Sequence, residues 1–379
     1  MKSIVNHNTI EATNSAHGAL LTSGPGPAVF AMSRFRKRYV SAVLRNLKVG
    51  LGLAATIAGG LTAASATAQT PPSITWCDWS QYDEGIETSI AYAGSQFMEV
   101  HSSQWEPSLW YHYGYIDSNN VQHTGPSIQY DSGQWPKISM NSKGTAVEVH
   151  NDAAGIGTLW YHVISCNPSA GATDFGGSVF FDYGSMPCVA VNNNNVVVEE
   201  QIDVNGFHCH VGTVNAGTAR VGWSPAQNVA DSGQSPAISV NDSGVVVEVH
   251  GAESGNLLYY RVGRVNGSNI VWGPSTQFDS GFYPSVALTN SGTVVEVHLA
   301  SYTWGSLWMG CDNLIDDFNA LYESTGVVVG NQIVWSNPVI FDEGFQPSVA
   351  TNGLAVLESH TSGSASYDAN LWMSWGAFN

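Results

Sequence analysis

A repeat constrains this chain more than any other feature. The stretch "VVVEVHGAESGNLLYYRVG", Val245–Gly263, has near-copies beginning at Ala146 and Val294. Its Glu recurs at Glu99, Glu148, Glu199, Glu248, Glu296 and Glu358. An Asp-x-Gly turn recurs in step at Asp83, Asp131, Asp182, Asp231, Asp279 and Asp342. Three residues beyond its Gly stand Pro136, Pro187, Pro236, Pro284 and Pro347, with Thr88 in the first unit. A period of about 50 residues calls for a solenoid, a propeller or another array of stacked units.

Each unit carries strand signals. "PSVALTN" alternates and ends in a turn, "GTVVEVH" is β-branched, "LWYHV" is aromatic and apolar, and "NIVWGPSTQFDSG" runs into the next Asp-x-Gly. Four short strands between Gly, Asn, Ser and Pro predict an antiparallel meander. The last unit stops at "LWMSWGAFN", after its third strand. The stretch "SITWCDWSQYDEG" near the other end matches the fourth-strand pattern "QIVWSNPVIFDEG". Trp76 and Trp335 both precede the Asp by seven residues. The expected fold is therefore all-β, a six-bladed β-propeller of four-stranded antiparallel blades over residues 69–379. Pairing of the N-terminal strand with Leu371–Trp375 in the last blade would close it and remove open sheet edges.

Unit five has extra residues, "CDNLIDDFNALYES", assigned to a solvated loop between its third and fourth strands. Their acids make calcium conceivable but lack the spacing of a calcium loop. No other cofactor is expected. Ahead of the repeats, residues 1–31 show no pattern and read as a start-site artefact or a disordered leader. Residues 32–68 combine a basic stretch, an apolar run and Ala66-Thr67-Ala68, the layout of a cleaved secretory signal. The expected location is secreted, extracellular or periplasmic, without stable membrane insertion.

Beyond residue 68 the only basic residues are Lys137, Lys143, Arg220, Arg261 and Arg264, while every acid except Glu11 lies there. Such a surface repels phosphate backbones, so nucleic acid is not an expected partner. Cys77, Cys166, Cys188, Cys209 and Cys311 in an exported chain suggest one or two disulfides.

Glu and His of the repeat are two apart, so they share one side of the second strand. Two functions fit. In one, Glu99, Glu148, Glu248, Glu296 and Glu358, with His101, His150, His250, His298 and His360, bind a ligand against an aromatic wall. That wall is Trp110, Trp160, Tyr259, Trp308 and Trp372. An apolar face plus directional polar groups suits a sugar. In the other, a buried Glu needs a hydrogen-bonding partner whatever the function, and the set holds the units together. Unit three departs from the pattern: Gln201 replaces the His, and His208 and His210 share a strand face, which makes them weak metal candidates.

The pattern "DSG-x-x-P-S-V-A-x-N-x-x-G-x-V-V-E-V-H … L-W-Y-x-V-G … I-x-W-G" resembles repeats attached to secreted bacterial phospholipase-like and toxin-like proteins. It is more distantly similar to β-propeller lectins and tectonin-like modules. The repeated Glu, His and aromatic set points to a secreted, lectin-like protein that recognises carbohydrate or another cell-surface ligand multivalently, and carboxylates that recur in every unit favour binding over catalysis, which usually marks a single site. Fucose-type propeller lectins combine Arg, Glu and an aromatic in each pocket; here the Glu and aromatic recur and the Arg does not. The alternatives are a glycan hydrolase or lyase using the propeller channel, with His208 and Asp316 as its singular polar residues, or a protein-interaction scaffold.

Overall fold

The structure is a computed structural model. It describes residues 70–77, 79–155, 157–167, 172–300, 319–362 and 369–379, all within a unit spanning Ser65–Asn379. Among them there is no α-helix, only one short 3-10 turn at Ala216–Thr218. No helix is long and apolar enough to cross a membrane. The strands form a β-propeller arrangement of antiparallel meanders.

Hydrogen bonding sorts the strands into five sheets: four of five strands and one of nine. The expected six separate blades are thus corrected to four, plus a sheet in which the first two repeat units are welded together. The cause is the strand Ile128–Met140, which runs without a break. Its first half pairs with Ser108–Ile116 (Leu109 opposite Asp131), and its second half pairs with Thr145–Asp152 (Ile138 opposite Glu148). At the matching step of unit three the chain breaks instead, between Val179–Tyr183 and Ser185–Val191.

Outer strands also differ from expectation, each being split into two pieces on the same third strand. In unit four Asn269–Trp272 pairs with Gly263–Asn266, and Thr276–Ser280 with Leu257–Tyr260. Pro274 sits between the pieces and has no N–H to give the ladder.

Closure by the N-terminus follows the expected pairing. Ile74–Trp76 pairs with Gly376–Phe378, and Ser80–Glu84 pairs with Asn370–Met373. The innermost strands of all neighbouring units but the third and fourth are linked by serines that accept backbone N–H groups from a neighbour. Ser89 Oγ accepts from Ile138, Ser139 Oγ from Val191, Ser239 Oγ from Leu288, Ser285 Oγ from Val349 and Ser348 Oγ from Ile90, all at 3.0–3.2 Å.

The core lies between consecutive sheets, as the apolar side of each second strand requires. Val147, Val149 and Val197 meet Val189 and Val191, and Val247, Val249 and Val294 meet Val286 and Leu288. Trp223, Trp272 and Trp335, from "I-x-W-G"-type outer strands, close these clusters from the side. Unit five holds a second correction. Its third strand is Ala320–Val329, paired with Thr293–Leu299. The extra residues therefore fall before the third strand, not after it, and residues 301–318 lie outside the described residues, with Trp308, Cys311 and Asp316 among them.

Candidate functional site

The second strands carry Glu and His on the side away from the valines, facing the Asp-x-Gly turn that precedes their unit. All five Glu of the Glu-x-His pairs are fully buried, and the five His are 1–3% exposed. Each His Nδ1 bonds the Glu two residues back, at 2.9–3.1 Å. Nε2 turns to the turn Asp: His101 is 3.5 Å from Asp83, His150 3.7 Å from Asp131, His250 3.7 Å from Asp231 and His360 4.0 Å from Asp342. Asp83 belongs to the sheet made by the two termini, and His101 to the next, so this network clamps neighbouring sheets.

Opposite the Glu, on the third strand, stands a ring of which the sequence reading singled out only His210: His112, His162, His210 and Arg261, then Ser324 and Ser374. The available signal was the His of "LWYHV", two residues after the aromatic. His112 Nδ1 donates to Gly125 O at 2.8 Å, and its Nε2 meets Asp83 Oδ2 at 2.8 Å. His162 repeats this with Gly176 O and Asp131, and His210 with Ser224 O and Asp182. A carbonyl and a carboxylate both only accept. A histidine bonded to one through each nitrogen must therefore be the doubly protonated imidazolium.

The electrostatics agree. Burial alone would lower His112 and His162, but Asp83 and Asp131, with Glu99 and Glu148 nearby, hold them above the ordinary histidine value. Burial would raise Asp83 and Asp131, but the same histidines, with Ser127 and Ser178, hold them far below the ordinary carboxylate value. In unit four a guanidinium fills this slot: Arg261 Nε donates to Glu248 at 2.8 Å and Nη2 to Glu200 at 2.6 Å. In unit three Gln201 turns away to Asp182, and neither oxygen of buried Glu199 has a partner. Burial, with Glu200 beside it, pushes Glu199 well above the carboxylate range.

These shifts set a pH dependence. The raised histidines (His112, His162, His298, His360) add stability that is full below their unfolded value of about 6.5 and lost as pH rises through the higher folded value. The raised acids Glu199, Glu296 and Glu358 act in the same direction, since burial opposes their ionisation. The depressed Asp83 and Asp131 add stability above their unfolded value of about 3.9, lost only in strong acid. The melting temperature is therefore expected to peak near pH 5–6 and to fall over the interval above about pH 6.5. A melting temperature that rises over that interval would overturn the imidazolium assignment.

The aromatic positions lie beside this network, opposite the His across the strand pair. Trp110, Trp160, Tyr259 and Trp372 face His101, His150, His250 and His360, and each is half-buried. In unit five the residue facing His298 is Tyr322, stacked at 5.7 Å, in the place the sequence reading gave to Trp308. His208 takes the aromatic position in unit three, opposite Gln201. His208 and His210 do not converge: His208 Nε2 lies 3.0 Å from Asp203, and His210 bonds Asp182. The donor sets that do converge, each within 4.8 Å, are Asp83 with His101 and His112, and Asp131 with His150 and His162. Cys166, Cys188 and Cys209 are buried free thiols, so the suggested disulfides do not involve them.

No family model matches the chain. No curated protein matches it either. Solved structures share its fold at low identity. A protein of unknown function from Dyadobacter fermentans is 8% identical with a TM-score of 0.53, covering 81% of this chain and 99% of its own. The Aleuria aurantia lectin, solved with Fucα1-6GlcNAc, is 11% identical with a TM-score of 0.51, covering 78% and 97%. The α-L-arabinofuranosidase of Fusarium graminearum, solved with an iminosugar inhibitor, is 9% identical with a TM-score of 0.51, covering 80% and 98%. The chain is thus similar in fold to propeller lectins and glycosidases.

Proposed function

We propose that this chain is an exported, non-catalytic propeller that binds carbohydrate multivalently through its repeated aromatic positions. The observation that carries this reading is the recurrence of one half-buried Trp or Tyr ring in five of the six units, at one register position. Trp110, Trp160, Tyr259, Tyr322 and Trp372 hold it. The Glu-x-His pairs set those rings from behind: His250 stacks on Tyr259 at 5.6 Å, and His298 on Tyr322. Ser108 and Thr158 accept from the indoles of Trp110 and Trp160 and fix their tilt. An indole or phenol face offers a sugar ring an apolar surface, and neighbouring backbone and hydroxyl groups offer its hydroxyls partners. Two proteins of like fold were solved with sugar-type ligands, which fits the reading. The imidazolium–carboxylate groups are engaged with one another, which favours a scaffold role over acid–base catalysis.

Several weak equivalent sites on one body gain avidity on a dense glycan surface. The test is a glycan array probed with residues 69–379. Binding to at least one dense glycan is expected, and Trp110→Ala with Trp160→Ala should weaken it by about 10²-fold or more. Silence across neutral and acidic glycans would remove the reading.

A further inference from the structure

At the end of the inner strands nearest the Asp-x-Gly turns lies a cavity of about 220 Å³, lined by the inner strand of every repeat unit. Its rim is unusual in its backbone. Glu87, Trp135, Met186, Ser235, Tyr283 and Gln346 occupy one repeat position, and all have φ between 50° and 59°. Each such non-glycine residue costs on the order of 1–3 kcal/mol, and strain of this kind clusters at functional sites. It turns six side chains of different chemistry to one mouth, where a plain inner strand would alternate them away.

Two residues further on, the same repeat position carries Ser89, Lys137, Cys188, Ala237, Ser285 and Ser348, and all of them line the cavity. Lys137 is singular in this layer. It is one of two lysines beyond residue 68 in a chain of net charge −18. Among the described residues no hydrogen bond or ion pair engages its amine. Burial draws that amine below the ordinary lysine value, with Glu87 acting against the shift. Glu87 is not its close partner, because Glu87 Oε2 accepts from Trp135 N and Ser102 Oγ, both at 2.8 Å. Burial also pushes Glu87 toward its neutral form. The Cys188 thiol donates to Glu200 O, at 3.4 Å.

The serine hydroxyls that line the cavity with Lys137 are polarised in one direction. Ser89, Ser285 and Ser348 each accept a backbone N–H from the neighbouring strand through Oγ. A hydroxyl whose oxygen is so engaged still has its proton to give. The mouth thus combines one cation that no described residue hydrogen-bonds or ion-pairs, three O–H donors and the apolar bodies of Trp135 and Met186. That is a receptor for a single negative charge on a compact, partly apolar body.

We propose that the channel mouth binds one small carboxylate-bearing molecule per chain, with its carboxylate on Lys137 and the serine hydroxyls. One cation with neutral donors matches a monoanion; a phosphate dianion would leave a charge uncompensated beside Glu87 in an acidic chain. The site is separate from the repeated aromatic positions, and its stoichiometry distinguishes the two.

The test is isothermal titration of the purified chain with sodium glucuronate, glucose and inorganic phosphate. One glucuronate is expected to bind per chain, with glucose at least about ten-fold weaker, since the charged hydrogen bonds are worth about 1.5–3 kcal/mol. Lys137→Met should abolish the difference between glucuronate and glucose. It should not lower the melting temperature, because the amine has no partner to lose. Lys137→Arg keeps the charge and should keep the preference. Lys143→Met, at an exposed lysine off the channel, should change nothing. Glucuronate preference retained in Lys137→Met, several glucuronates per chain, no glucuronate binding at millimolar concentration, or tighter binding of phosphate would each overturn the proposal. Glycan-array binding through the aromatic positions should be unchanged in Lys137→Met, so failure of one site leaves the other standing.

Discussion

Arg261→Met is expected to destabilise the protein by about 3–5 kcal/mol, the cost of removing one partner from a buried charge cluster. Arg261 is 2% exposed, and three carboxyls surround it: Glu248 and Glu200 in hydrogen bonds, and Asp231 at 3.9 Å. Its guanidinium also lies 4.7 Å from the Trp272 ring and 5.4 Å from Phe207. Burial would raise Glu248, but Arg261 and His250 hold it below its ordinary value. Glu200 goes the other way and is pushed up to about 8, because burial and the nearby Glu248 outweigh the same guanidinium. One arginine therefore neutralises one carboxylate fully and a second in part. Methionine fills similar volume but leaves the fully buried Glu248 carboxylate without its guanidinium partner. At about 2–4 °C per kcal/mol for chains of 150–250 residues, and less for longer ones, the melting temperature should fall by about 5–15 °C. Adding Glu248→Gln should recover more than about 1 kcal/mol by removing the stranded charge. Urea unfolding of the single and double variants reads both numbers. An unchanged midpoint for Arg261→Met would show that the cluster contributes nothing net.

The fold was legible wherever the sequence states it more than once. Strand order, the Asp-x-Gly turns and the closing pair follow from a pattern that repeats in register, and the match of Trp76 to Trp335 located the missing strand. The blade count was less legible. Whether Asp131-Ser132-Gly133 breaks a sheet or continues it depends on a few backbone angles that the repeat shares with its other copies. The third strand of unit five was misplaced because "SLWMG" imitates the aromatic strand that "ALYES" forms. At the site, Glu and His were found because they recur, and their burial follows from the valines between them. His112, His162 and Arg261 were missed because that position changes residue type from unit to unit, although the first four units each place a His or Arg opposite a buried Glu. Left-handed backbone before proline was not legible at all, since the preceding residue is ordinarily held extended. Lys137 stood out only once the channel placed it among serines.

Deleting residues 70–84 is expected to abolish cooperative folding, because this segment does three jobs that no other described segment does. It supplies the outer strand of the sheet built from both termini, pairing Ile74–Trp76 and Ser80–Glu84 with Asn370–Phe378. It also supplies an aromatic cover: Trp76 stacks on Phe341 at 5.2 Å, Trp79 lies 5.4 Å from His360, and the Trp76 indole donates to Glu323. Finally it supplies Asp83, the counter-ion that His112 and His101 share. Removing a fully buried tryptophan costs about 3–5 kcal/mol, of which the half-buried Trp76 and Trp79 each carry a part, and stranding a buried charge costs about 3–5 kcal/mol. Together these equal or exceed the about 5–15 kcal/mol by which a domain is stable. The bared edge of Asn370–Phe378 would then offer unpaired N–H and C=O groups to other chains, so aggregation is expected. Two milder variants separate the contributions. Asp83→Asn keeps the strand and should lower the melting temperature most below pH 6.5, where His112 is charged in both folded and unfolded chains. Trp76→Ala keeps both the strand and the ion pair and should lower it at every pH. A deletion variant that stays monomeric and melts at the wild-type temperature would show that the sheets close without the N-terminal strand.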